Sequence, residues 1–131
     1  VKQLLRNFLP AILFFILSVV LLTLPGNDLP ATGFFNQIPY FDKWVHIGMF
    51  AILTYLFGAA LYKSFNYNRR LLLLTVAAGI IYGVAMEFVQ KYWTTGRSFD
   101  ITDIIADTAG CVLAYLTLRI RFRKSLSQNP V

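Results

Sequence analysis

The chain has 131 residues, of which 57% are hydrophobic and 14% charged, with a net charge of +6 and a mean hydropathy of +0.61. A soluble domain of this size carries far more charge, so the composition excludes one and points to an integral membrane protein. The positive balance alone could suit nucleic acid, but four long apolar runs exclude that partner and make the charge a matter of membrane topology.

The predicted spans are residues 8–24, 45–61, 71–89 and 104–120. Each is about long enough to cross a bilayer core of roughly 30 Å at about 1.5 Å per residue. Connections of about nine to twenty residues join them. The expected fold is therefore all-α: one antiparallel four-helix membrane bundle, forming a single transmembrane domain over residues 1–131.

Lys2 and Arg6 before the first span resemble the start of a signal peptide, yet the exit Thr23-Leu24-Pro25-Gly26-Asn27 lacks a small-x-small cleavage site. An uncleaved first helix is expected. The connection that follows carries Pro25, Pro30 and Pro39, the charge Asp28, and the aromatics Phe34, Phe35, Tyr40, Phe41 and Trp44. With Tyr92 and Trp93 beyond the third span, these rings read as a headgroup-level belt, the alternative being a lid over a ligand. Asp28 reads as a solvated loop charge.

The second span opens with Asp42-Lys43-x-x-His46, where the i, i+4 spacing lets the Asp42 carboxylate orient the His46 imidazole. On the third, Gly83, Glu87 and Gln90 share a stripe, and Lys91 reads as a headgroup contact. The fourth opens with Gly96-Arg97-Ser98-Phe99-Asp100 and places Asp103, Asp107, Gly110 and Ala114 on one face. Asp100 suits a helix cap and Asp103 the first turn, where negative charge complements the helix dipole. Small residues below polar ones mark a face that packs closely against a neighbour. Cys111 is the single cysteine and lies within this span, which points to packing rather than to a disulfide or metal thiolate.

Charge is segregated along this pattern. Nine of the twelve Lys and Arg (Lys2, Arg6, Lys63, Arg69, Arg70, Arg119, Arg121, Arg123 and Lys124) fall on one side of the spans, and all six acidic residues and the one histidine on the other. Basic residues in short loops are retained in the cytoplasm. Both termini and the middle loop are thus expected to be cytoplasmic, with the acidic residues at the outer face of the cell membrane. An ionisable residue within a span costs on the order of 3 kcal/mol to insert, so Glu87 and Asp107 need partners, for which Arg97, Lys43 and His46 are the candidates. His46, Glu87, Arg97 and Asp103 are expected to converge there, with Arg97 the best partner for Glu87 because a guanidinium bridges two carboxylates. An ion-pair cluster that only ties helices together would look the same in sequence.

These residues resemble the VanZ-like membrane proteins. The likeness lies in Asp42-Lys43-x-x-His46 with Phe50, in Tyr82-Gly83-x-x-x-Glu87-x-x-Gln90, and in Arg97 followed by Asp103 and Gly110. Asp107 stands where the family pattern usually carries Asn, so the site carries over best at Asp42, His46, Glu87, Arg97 and Asp103. The resemblance implies a bacterial inner-membrane protein of the cell envelope. The family namesake is linked to resistance against teicoplanin; antibiotic resistance for this chain would rest on that association alone and is not inferred.

Three readings follow. In the first, the outer face binds or modifies a polar envelope ligand, a lipid-linked headgroup or glycopeptide, with Lys43 and Arg97 against its anionic groups and Asp42, Asp107 and Gln90 against amines or hydroxyls. In the second, the protein is a membrane-embedded hydrolase or transferase with His46 as base, Glu87 as acid and Asp103 beside them. That version allows His46, Glu87, Asp103 and Asp107 to hold a divalent cation, an oxygen-rich site rather than a zinc site given the single histidine. No cofactor is required by the sequence. In the third, the protein is a scaffold. Bilayer lipid is a partner in all three.

Cysteines introduced at Asn36 and Thr95 are expected to react with an impermeant thiol reagent added outside intact cells, and one at Asn66 is not. The reverse labelling pattern would invert the topology.

Overall fold

A computed structural model describes residues 1–25, 37–65 and 68–124. Asp28, Pro30, Phe34, Phe35 and the labelling positions Asn36 and Asn66 lie outside these described residues. The described residues form four helices, α1 (Lys2–Thr23), α2 (Phe41–Ser64), α3 (Arg69–Trp93) and α4 (Ile101–Arg121), and no strand. All four are long and apolar enough to cross a membrane, which makes this a multi-pass membrane protein. Each helix starts a few residues before the apolar run that marks it in the sequence, and α2, α3 and α4 also end beyond it, because flanking polar residues continue the helix.

The helix starts have identifiable causes. Asn68 caps α3, its side chain accepting from Leu71 N at 3.0 Å, and Asp100 caps α4 by accepting from Thr102 N at 2.8 Å. α2 instead begins at Tyr40, held in a left-handed backbone conformation (φ 56°, ψ 36°) that costs a non-glycine residue on the order of 1 kcal/mol. The Tyr40 carbonyl accepts from Lys43 N at 3.0 Å and Trp44 N at 3.2 Å, which fixes the turn that carries Lys43.

Successive helices alternate in direction. Leu22 meets Gln90, Ser18 meets Tyr82 and Asn7 meets Ser64, so α1 runs with α3 and against α2. The most extensive pairing is between α2 and α4, which run parallel: Lys43 meets Asp103, His46 meets Asp107 and Thr54 meets Cys111. Gly110 makes this approach possible. A Cβ there would strike Ile47 O and stand 2.9 Å from Ala51 N, both α2 backbone atoms. Phe50, Leu53, Cys111, Ala114 and Leu118 are buried around this seam. Exposed Leu13, Ile16, Ile81, Ile105 and Leu113 give the bundle an apolar exterior suited to lipid tails. At the end carrying the acidic residues, Tyr40, Trp44, Tyr92 and Trp93 are all exposed.

Among α1, α2 and α3 lies an apolar cavity of about 420 Å³, lined by Phe15, Leu53, Phe57, Leu74, Ala78 and Gly79, with Tyr82 at its end nearer the acidic residues. The Tyr82 hydroxyl pairs with Ser18 Oγ at 2.8 Å and its ring packs against Phe50, 5.5 Å between centroids.

Replacing Gly110 by Leu forces α2 and α4 apart and should cost about 3 kcal/mol or more, whereas Leu116→Ala, on a lipid-facing position, should cost under about 0.5 kcal/mol. Melting temperatures in detergent measure the difference; equal values would remove the close-packing argument.

Candidate functional site

Parallel α2 and α4 both begin at the acidic end, so Lys43 and His46, one turn apart on α2, face Asp103 and Asp107, one turn apart on α4. Lys43 Nζ lies 2.9 Å from Asp42, 2.7 Å from Asp100 and 2.5 Å from Asp103, so a single ammonium holds three carboxylates. Asp100, in the connection before α4, is lowered to about 2 by the Lys43 ammonium and by donors from Thr102. It stays ionised throughout the physiological range, serving at once as helix cap and as counter-charge.

Below this rim is a buried layer. His46 Nδ1 is 2.8 Å from Asp107 Oδ1, while His46 Nε2 lies 3.8 Å from Asp103 Oδ2, beyond hydrogen-bond reach. Glu87 enters from α3 and accepts from Asp100 N through Oε2 at 2.9 Å. One nitrogen of His46 and one oxygen each of Glu87 and Asp107 lie within 4.8 Å of one another, in residues only 5%, 1% and 2% exposed. Gly83 makes room for this arrangement, since a Cβ there would stand 2.7 Å from Asp107 Oδ2. A carboxylate-oriented imidazole beside a second carboxylate can take and return a proton, and the same donors can hold a cation.

The structure brings His46, Glu87, Asp103 and Asp107 together with Lys43 but assigns their partners differently from the sequence expectation. Asp42 does not orient His46: its side chain is 64% exposed and pairs with Lys43, because it points outward in the first turn of α2 while Asp107 reaches across from α4. Arg97 does not bridge Glu87 and Asp103. Its Nε donates to Leu24 O at the end of α1, 3.1 Å away, and Glu87 is satisfied by the Asp100 backbone. The cation that bridges carboxylates is Lys43, at Asp42, Asp100 and Asp103. Gln90 is buried but turned toward α1, donating to Leu22 O at 3.0 Å. Sequence reasoning quoted Tyr82 only within the family likeness and missed the cavity beneath it; the available signal was the Gly79, Tyr82 and Gly83 grouping, which places two small residues beside one polar ring.

Against known proteins, the VanZ/LLP1 family profile matches residues 7–122. An uncharacterized protein of Schizosaccharomyces pombe is 38% identical over 89 residues, covering 66% of this chain and 51% of the relative, a match outside the bacteria. The chain thus spans about half the length of that curated relative. No solved structure matches the chain. With a family profile that runs from the first turns of α1 to the end of α4 and includes every residue of the buried layer, the chain belongs to the VanZ/LLP1 family.

Proposed function

We propose that the acidic end of the bundle faces the outside of a cell membrane and forms a site for the polar headgroup of a lipid-linked envelope ligand. The observation that carries this reading is the His46, Glu87 and Asp107 constellation, buried among apolar helices where an ionisable residue is a functional hypothesis by default. Orientation follows from the basic residues at the opposite end. The matched region, residues 7–122, is taken as one transmembrane unit that builds the whole site.

Lys43 is occupied by three carboxylates and Gln90 donates to a backbone carbonyl, so the buried layer offers a ligand chiefly the acceptors of His46, Glu87 and Asp107. They suit hydroxyl or amine donors better than phosphate. His46, held by Asp107, is the group placed to accept a hydroxyl proton, with Glu87 beside it. The cavity supports the lipid-linked class over a free glycopeptide. It is lined by apolar side chains, and Tyr82, which packs on Phe50, lies at its end nearer the polar layer, so a tail can lie there while its headgroup meets His46.

Native mass spectrometry of the protein extracted from its membrane in mild detergent tests this. The wild type should retain an amphiphile of defined mass, and His46→Gln, Glu87→Gln and Ala78→Trp should each lower occupancy about tenfold, equivalent to about 1.4 kcal/mol. An adduct insensitive to all three changes would refute the reading. If Glu87→Gln instead lowers the melting temperature with no change in adduct, the cluster is a structural tie between helices.

A further inference from the structure

We infer that His46, Glu87 and Asp107 form a binding site for one divalent cation. Three helices each supply one donor, and the donor atoms already lie within 4.8 Å of one another, close enough for a single ion to draw on all three. An imidazole with two carboxylates is a borderline-to-hard donor set, suited to an ion such as Mn²⁺ that accepts nitrogen and oxygen and completes its shell with water or a ligand oxygen.

Charge arithmetic favours the ion. Asp42, Glu87, Asp100, Asp103 and Asp107 crowd one end of the bundle, and Lys43 is the one cation that pairs with them among the described residues apart from His46. Lys43 serves the rim, at Asp42, Asp100 and Asp103. That leaves the deeper pair, Glu87 and Asp107, against one imidazole in the most buried part of the cluster. Two carboxylates in a low-dielectric setting repel strongly, and a divalent ion between them turns that repulsion into attraction.

The free valences point the same way. His46 is 5% exposed, and its Nε2 reaches no acceptor within hydrogen-bond distance among the described residues, the nearest carboxylate oxygen being 3.8 Å away. Glu87 is 1% exposed and accepts from Asp100 N through Oε2, with no hydrogen bond to Oε1 among the described residues. Both side chains are thus more than nine-tenths buried and offer an atom to the cluster. The proton held between His46 Nδ1 and Asp107, 2.8 Å apart, is the one that an ion drawing on both groups would displace. Each donor binds an ion only without its proton, so uptake should release protons and weaken as pH falls.

This inference goes beyond the headgroup reading and does not rest on it, because the ion would be held whatever docks above. The full chain, purified in detergent, treated with EDTA and freed of chelator, is titrated with MnCl₂ by calorimetry and electron paramagnetic resonance. Saturation at one ion per chain is expected, with affinity reduced at least tenfold in Glu87→Gln and in Asp107→Asn and unchanged in Lys91→Gln. No saturable uptake below about 1 mM, which corresponds to about −4.1 kcal/mol, overturns the inference, as does uptake that both carboxylate variants retain. Should those variants fail to fold, the wild-type pulsed spectrum decides: coupling of bound Mn²⁺ to an imidazole nitrogen supports the site, and its absence overturns it. Since the ion alone is read, the result stands apart from amphiphile retention.

Discussion

A carboxylate inside an apolar bundle has no water to turn to, and the rest of this structure depends on how that demand is met. Glu87 and Asp107 are almost wholly buried, and each must be partnered from outside its own helix. Asp107 is reached by His46 only because α2 and α4 approach closely enough, and they do so only because residue 110 is glycine. Gly83 plays the matching part on α3, leaving the volume that the Asp107 carboxyl fills. The polar layer and the small-residue contacts are therefore one design: removing side-chain bulk at two points lets charges from three helices meet.

Lys43 organises the rim in the same way. One ammonium shared among Asp42, Asp100 and Asp103 ties the first turn of α2 to the start of α4 and to the connection before it. That connection in turn donates Asp100 N to Glu87. A stretch that would otherwise be a plain link between α3 and α4 is thereby locked over the buried layer. The left-handed Tyr40, whose carbonyl receives Lys43 N, is a local strain carried at the point where this lock begins.

Most of the fold was legible because apolar length and charge segregation are one-dimensional properties of the sequence. The four helices, the small face of α4 and the Asp100 cap could all be read from spacing. Partner choice could not. Asp42 is nearer to His46 in sequence than Asp107, and spacing within one helix favours it; the parallel register of α2 and α4, which decides for Asp107, is a tertiary fact. Arg97 was likewise assigned by chemistry to the carboxylates, but the path of residues 94–100 carries it to the end of α1 instead. The cavity was invisible because an apolar residue facing a void and one facing lipid look alike in sequence. Membership of the VanZ/LLP1 family agrees with the motif-bearing residues and leaves their chemistry to be argued from the geometry.

The polar ties of α1 bear on how the protein is assembled. Asn7, Ser18, Leu22 and Leu24 all pair with residues synthesised later, Ser64, Tyr82, Gln90 and Arg97 respectively. α1 can wait in the bilayer as a free span, which a mean hydropathy of 2.2 over its most apolar 18 residues and the absence of charge after Arg6 allow. α4 is the opposite case, with a hydropathy of 1.5 and two aspartates buried in the finished bundle. It gains its partners only if α2 is already in place beside it, presenting Lys43 and His46. The ion pairs that shape the mature protein therefore also offset the cost of holding two aspartates in the least apolar of the four helices.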